Sequence, residues 1–294
     1  MASLAQLIRK FIRSSRRGKY AGVVRRIHRV LPGVPAPFRL PFGSWWLARG
    51  SALDHQILLD GFENDAMRFI TRFLKPGMNV LDIGAHHGLY TLLASKCVSP
   101  GGSVVAFEPS PRERERLLQH VRLNSCQNVS LEPFALAEVS GTATLYVVDG
   151  WDDWCNSLRP PAINQSSRAV QVKIIPLDDY LSRRSDFPID FIKLDVEGAE
   201  LSVLRGAARL LRGVPRPVVL AEVQDVRTKP WNYRAREIID LLTQYGYEWF
   251  GISGDGILLP MPAGQETFDG NFVAVPSERI AEIACRLQPT GLVS

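Results

Sequence analysis

Residues 79–88 run Asn-Val-Leu-Asp-Ile-Gly-Ala-His-His-Gly, and residues 103–109 run Ser-Val-Val-Ala-Phe-Glu-Pro. Each is a short apolar run of strand length that closes on an acid or a glycine, the mark of a buried strand opening into a loop. A helix is expected after Gly88. Strand, glycine-rich turn, helix and second strand together make one unit of a parallel sheet covered by helices.

The alternation continues on both sides. Glu63–Leu74 reads as a helix ended by Pro76-Gly77. A helix is expected from Pro111 to Asn124, with proline early, where its missing N–H costs nothing. Strands follow at 129–132, 189–194 and 217–221, with a helix from about Gly198 to Leu211. Residues 141–148 and 170–175 alternate like an antiparallel hairpin. A helix at 235–245, closing strands at 247–252 and 271–275, and a helix at 277–287 complete the pattern. The fold class is α/β with a Rossmann-like, mostly parallel sheet.

The 294 residues fit one large domain, or one domain with an extension, and a hydrophobic content of 46% with 22% charged residues supports a full core. Cys97, Cys126, Cys155 and Cys285 are scattered without a CxxC pair, so neither a zinc site nor a disulfide framework is expected, and a reducing, cytoplasmic setting is the plain reading. No apolar run reaches 18 residues, and the N-terminus lacks a secretory stretch.

The net charge of +5 is unevenly spread. Residues 1–50 hold eleven Arg or Lys and no acid, which leaves 24 basic and 30 acidic residues for 51–294. Leu4, Leu7, Ile8, Phe11 and Ile12, and again Val23, Val24, Ile27, Val30 and Leu31, recur at helical spacing among arginines, as in basic amphipathic helices. An extended Pro32–Pro41 segment follows. Residues 1–55 therefore read as a basic helical extension and 56–294 as the α/β domain. The arm has three readings: peripheral contact of residues 1–31 with an anionic membrane, a lid docked on the core, or a cleaved targeting segment.

Ligands of such sheets bind beyond the strands' carboxyl ends, where strand order reverses. After the first strand, Gly84 and Gly88 are spaced G-x-x-x-G rather than the G-x-G-x-x-G of dinucleotide binders, and a plain structural turn would also explain them. Glu108 ends the second strand, 20 residues past Gly88, where an acid can accept both hydroxyls of a ribose; a solvated strand-end acid is the alternative. The fourth strand ends in Lys193-Leu194-Asp195-Val196-Glu197-Gly198-Ala199-Glu200, and the fifth in Glu222, with Gln224 and Asp225 beyond. Complementing a helix dipole accounts for Glu200 but poorly for Asp195, which belongs at the switch point itself.

The stretches LDIGAHHGLYTLLA, VVAFEPSP, NVSLEPFALAEVSGTATLYV, the Asn156-Ser157-Leu158 step, IPLDDYL, IDFIKLDVEGAELSVLRGA and GNFVAVP occur in the order of the FkbM methyltransferases, which the chain resembles over residues 60–276. The resemblance implies a class I methyltransferase sheet whose last strand is antiparallel. It implies S-adenosyl-L-methionine as donor and O-methylation of a hydroxyl on a sugar, glycolipid or small natural product. His86 stands where the family usually has Asn. By position, Asp82, Gly84, His86 and Gly88 are expected at the methionine end of the cofactor, with Ala85 beside them. Glu108, followed by Pro109, is expected at the ribose, Ala135 and Leu136 at the adenine, Glu63 at the amino group, and Asp195 beside the sulfonium and the acceptor.

An alcohol must lose its proton as the new C–O bond forms, and the candidate bases are Asp195, Glu222 and His87; His87 reads equally as a helix-surface residue. Asp195, Glu222 and Asp225 form an alternative oxygen-only Mg²⁺ site, though no metal is required by the spacing. The Asp149–Trp154 loop reads as a sugar platform or as two tryptophans packing an insertion. A nucleic-acid methyltransferase would be expected to carry an Asn-Pro-Pro-Tyr-like step or a nucleophilic cysteine after the fourth strand, and this chain has neither. A nicotinamide-dependent dehydrogenase is disfavoured by the glycine spacing. A non-catalytic cofactor-binding module is the remaining alternative.

Overall fold

The computed structural model describes residues 22, 24, 26, 28, 30, 34–59, 61–150, 154–161, 165–184, 188–262 and 264–287. Its centre is an eight-stranded sheet of β3 (Asn79–Ile83), β4 (Ser103–Phe107), β5 (Val129–Glu132), β9 (Phe191–Leu194), β10 (Val218–Gln224), β11 (Tyr247–Ile252), β12 (Leu258–Pro260) and β13 (Asp269–Pro276). The strand order is β12-β11-β13-β10-β9-β3-β4-β5. β5, β4, β3, β9 and β10 are parallel, and β13 inserts antiparallel between β10 and β11. The mostly parallel sheet with an antiparallel last strand is the one expected from the sequence. The chain runs outward from β3 to β5 and returns to lay β9 on β3's other side, so the order reverses between β3 and β9. Ile83 of β3 pairs with both Phe107 of β4 and Leu194 of β9, which brings the three strand ends together.

The sheet is apolar because both its faces are covered. One face buries Leu81, Ile83, Val105, Ile192 and Val219; the other buries Val80, Val104, Phe191, Val218 and Leu220. Consecutive side chains in a strand point to opposite faces, so a sheet buried on both sides has continuous apolar strands rather than alternating ones. Helix α2 (Asn64–Phe73) shows the complementary pattern: Ala66, Phe69, Ile70 and Phe73 form one buried stripe at helical spacing. Helices α3 (Leu89–Val98) and α4 (Pro111–Leu123) follow β3 and β4 as expected. Beside the main sheet, β6 (Phe134–Leu136), β7 (Gly141–Val148) and β8 (Ser167–Ile175) form a second one; β7 and β8 are the expected hairpin, and β6 adds parallel to β8.

The expected helix at 198–211 is instead two, α6 (Glu200–Arg205) and α7 (Ala208–Arg212). The break falls at Gly206, where a Cβ would stand 2.1 Å from the carbonyl oxygen of Ala137. The last helix starts with a 3₁₀ turn at Ser277–Arg279 before α10 (Ile280–Leu287).

The expected extended segment carries a hairpin, β1 (Ala36–Arg39) with β2 (Trp45–Ala48), followed by α1 (Ala52–Leu58). The domain boundary read at residue 55 falls inside α1. Ala36, Leu40, Trp46, Leu53, Ile57 and Leu58 bury against Leu89 and Leu92 of α3 and form a cap on the domain. Val24, one of the described helical residues upstream, is buried in the same cluster. The helix read at Leu4–Ile12 lies outside the described residues. Among the described residues, no helix is long and apolar enough to cross a membrane.

Candidate active site

The loop after β3 is held in an unusual backbone shape. Gly84, His86 and Gly88 have φ of 83°, 49° and 91°, in the left-handed region that glycine adopts freely and other residues seldom do. A Cβ at Gly84 would lie 1.8 Å from the carbonyl oxygen of Asp195, so only glycine lets this loop press against the end of β9. The turn aims the His86 N–H at Glu108, whose Oε2 accepts it at 2.8 Å, while Oε1 accepts from the Ser110 N–H at 2.8 Å. Glu108 thus has a fixed carboxylate at the end of β4. Burial, assisted by the nearby Glu113, pushes it up to about 8.

A second group of charges sits at the switch point. Lys193 and Asp195, two apart in β9 and just past its end, point the same way, and the Lys193 ammonium donates to Asp195 Oδ2 at 2.7 Å. Lys193 is only 2% exposed, and its ammonium lies 4.7 Å from the ring centroid of Tyr90. Burial alone would lower this lysine, but Asp195 and Glu63 outweigh it and keep it charged. Burial likewise works against ionised Asp195, and the Lys193 ammonium prevails and holds it below the usual carboxylate range. Glu222 on β10 is pushed well up, by burial and then by Asp195 and Glu197, and its Oε2 is buried with no hydrogen-bond partner. Of this pair, Asp195 favours the ionised form and Glu222 the protonated one. Glu63 completes the group, accepting a hydrogen bond from the Tyr90 hydroxyl.

Around them lies a structural ring. Glu197, with a left-handed φ of 55°, pairs with Arg227 at 2.9 Å, and burial pushes it to about 8. Glu200 accepts from the N–H groups of Val196 and Gly198 at 2.9 and 3.2 Å and so ties down the β9–α6 loop. Burial puts it at about 7. Ser157 donates to the Glu197 carbonyl at 2.8 Å. Asn156 accepts from the Val148 N–H at 2.8 Å, and its Nδ2 is buried without a partner beside the cavity.

One cavity joins these groups. Of the residues expected from the sequence, Glu63, Gly84, Ala85, His86, His87 and Gly88 line it, as do Glu108, Pro109, Ala135, Leu136, Asp195 and Glu222. Asp82 does not: its carboxylate is buried beneath the loop, where it accepts from the Thr91 hydroxyl, and burial pushes it to about 6. His87 is sunk against α4, its Nε2 accepting from Arg116 at 3.0 Å and its carbonyl accepting from His120 Nδ1 at 2.7 Å. Burial, with His86 and Arg116 alongside, keeps its imidazole neutral. With Nε2 already engaged, His87 is built as a support of the loop. Asp225 turns away as well, accepting from the Phe268 N–H at 2.9 Å. Two clusters among the described residues have metal-like spacing: Glu63, Asp195 and Glu222, with Lys193 against them, and His86, His87 and Glu113. Trp154 lines the cavity and stacks on Phe62, with ring centroids 6.4 Å apart; Trp151 lies outside the described residues. Lys193, Tyr90, Arg227 and Phe62 are site residues that sequence reasoning passed over. For Lys193 a signal was present, a lone charge inside an otherwise apolar strand.

A family model described as "Methyltransferase FkbM domain" matches residues 82–249. "Methyltransferase 1" of Beauveria bassiana is 27% identical over 143 residues, which cover 43% of this chain and 57% of that protein, so the chain spans little more than half of that relative's length. "31-O-demethyl-FK506 methyltransferase FkbM" of Streptomyces tacrolimicus is 28% identical over 200 residues, 59% of this chain and 74% of that one. "2-O-methyltransferase NoeI" of Sinorhizobium fredii is 26% identical over 184 residues, with 58% and 73% covered.

Proposed function

The chain belongs to the FkbM family of methyltransferases; from that premise we propose that it transfers a methyl group from S-adenosylmethionine to a hydroxyl of a sugar, glycolipid or small natural product. The observation that carries this reading is the Lys193–Asp195–Glu222 group at the switch point of the sheet, where the Lys193 ammonium bonds the Asp195 carboxylate at 2.7 Å and Glu222 lies within 4.8 Å of it. Relatives named as O-methyltransferases support it.

The residues present fit the donor. Glu108, held by two backbone amides, has lone pairs left for the ribose hydroxyls. Pro109, Ala135 and Leu136 offer an apolar slot for the adenine, and the unpartnered Asn156 Nδ2 supplies a hydrogen-bond donor at the cavity wall. Glu63 would meet the amino group, with the Gly84–Gly88 backbone along the methionine chain. When bound, S-adenosylmethionine supplies an electrophilic methyl group on a sulfonium.

The protein's own task is alignment and proton removal. The cavity walls would hold acceptor and donor together, which replaces a bimolecular encounter by a fixed approach. An oxygen that is gaining a methyl group becomes strongly acidic, so even a carboxylate of low basicity suffices to take its proton. Asp195 takes the proton, oriented by the Lys193 ammonium, with the Glu222 carboxyl within 4.8 Å of it. The test is methyl transfer from labelled S-adenosylmethionine to a panel of hydroxylated glycans and natural products. Asp195→Asn is expected to lower kcat by roughly 10²- to 10⁴-fold. Near-normal turnover in that variant removes Asp195 from the role of base, and transfer to amines instead of hydroxyls overturns the O-methylation reading.

We propose for residues 1–31, with nine Arg or Lys and no acid, peripheral contact with anionic lipid. Equal sedimentation of full-length and truncated chains with anionic liposomes would refute it.

A further inference from the structure

The cap reaches the cofactor loop through His120, beside a tilted contact of the Trp46 and His87 rings at 6.4 Å. His120 of α4 is 3% exposed. Its Nε2 accepts from the Leu47 N–H at 3.0 Å, and its Nδ1 donates to the His87 carbonyl at 2.7 Å. One neutral tautomer, protonated on Nδ1, satisfies both bonds. Trp46 stacks on the imidazole with ring centroids 4.0 Å apart. The Trp46 indole N–H in turn donates to Asp54 Oδ1 at 2.8 Å, and Asp54 Oδ2 accepts from the backbone N–H groups of Arg49, Gly50 and Ser51. The cap is therefore a hydrogen-bonded unit whose inner edge ends on His120. The far side of His120 ends on the peptide between the two residues that shape the loop, His86 and Gly88. The cap also reaches the cavity directly, since Leu53 of α1 lines it. Residues 36–58 lie wholly outside the matched family region of 82–249.

We infer that His120 is a positioning residue that couples this cap to the donor-binding loop, so that donor binding and cap docking strengthen one another and the cap is an integral wall of the site. The inference rests on the reading that the Gly84–Gly88 loop holds the donor. A loop fixed by the His120 bond costs less to order when donor binds, and a donor-ordered loop presents the His87 carbonyl that holds the cap. Such coupling is reciprocal: each event changes the other's equilibrium by the same factor.

The test uses full-length protein, with S-adenosylhomocysteine as the probe. Calorimetry measures its affinity, and hydrogen exchange of residues 45–58 measures cap opening, in wild type, His120→Ala, His120→Gln and Ile283→Ala. The last is a stability control in α10, remote from the cap. The product is expected to slow cap exchange about tenfold in wild type and Ile283→Ala, near the middle of the range for coupled sites. In His120→Ala the affinity falls by the same factor and the slowing disappears. His120→Gln, which keeps a donor and an acceptor, recovers part of both, and it carries the test by itself if the alanine variant does not fold. Tight binding with unchanged cap slowing in the His120 variants overturns the coupling alone. Absence of binding to wild type overturns the donor reading and the coupling with it.

Discussion

Replacing Lys193 by Met removes a buried charge while keeping a flexible apolar stem of similar length. In the native protein the ammonium lies 2.7 Å from Asp195, with side chains 3% and 25% exposed. Glu63, Asp195 and Glu222 bring carboxylate oxygens within 4.8 Å of one another around it. Removing one partner of a buried pair costs about 3–5 kcal/mol, because the remaining charge is left without compensation. Asp195 keeps some solvent contact, which places the expected loss near 3 kcal/mol at pH 8, or a Tm lowered by roughly 5–10 °C for a domain of this size. The pH dependence has a definite sign. Wild-type Asp195 is held below its ordinary 3.8 by Lys193 against the pull of burial; that contribution is present above pH 4 and fades as the pH falls through the lowered value. Without the lysine, burial and the neighbouring acids push the carboxyls up instead. A carboxyl held high in the folded state loses stability as pH rises through the interval between its unfolded and folded values. The difference between variant and wild type is therefore largest at pH 8 and shrinks towards pH 5. Urea or thermal unfolding at both pH values measures it. A loss under 1 kcal/mol at pH 8, or an equal loss at both, would refute the electrostatic account of this group.

Because burial puts Glu108 at about 8, product affinity is expected to rise between pH 6.5 and 8.5, by up to tenfold per unit below that value, as the ionised acceptor form becomes available. Glu108→Gln flattens the profile, and an unchanged slope in calorimetry would count against Glu108. Gly84→Ala would force a Cβ to 1.8 Å from the Asp195 carbonyl at a φ of 83°; a destabilisation of more than about 3 kcal/mol and loss of product binding are expected, and a stable, binding variant would show the loop to be less tightly packed. Asp54→Ala strips the acceptor from the Trp46 indole and three backbone N–H groups, with an expected cost of about 2–4 kcal/mol and faster exchange in residues 45–58; exchange unchanged there would mean that the cap is held by its apolar contacts alone.

What was legible in the sequence is what depends on neighbours along the chain. The β3 strand, its glycine turn, the strand ending in Glu108 and the helix stripe of Ala66, Phe69, Ile70 and Phe73 are all set by local pattern. The structure differs where a distant group intervenes. The helix after β9 breaks because Gly206 lies against the Ala137 carbonyl, a contact across 69 positions that no local propensity encodes. Asp225 looked like a partner of Glu222 because it is three residues away, yet its carboxylate is taken by the Phe268 N–H. Glu63, from before the first strand of the domain, stands with Asp195 and Glu222 instead. The β1–β2 hairpin was hidden because each strand is only four residues long and β1 carries Pro37. The Asp82 carboxylate is taken by the Thr91 hydroxyl of the next helix, a partner the strand pattern does not encode.

The central claim is that the cleft between β3 and β9 is an S-adenosylmethionine site anchored by Glu108. Calorimetric titration of S-adenosylmethionine and, separately, NADH into wild type and Glu108→Ala tests it directly. The account predicts micromolar binding of S-adenosylmethionine, weakened at least tenfold in the variant, with no uptake of NADH. Equal affinity in both proteins, or preference for NADH, would contradict it.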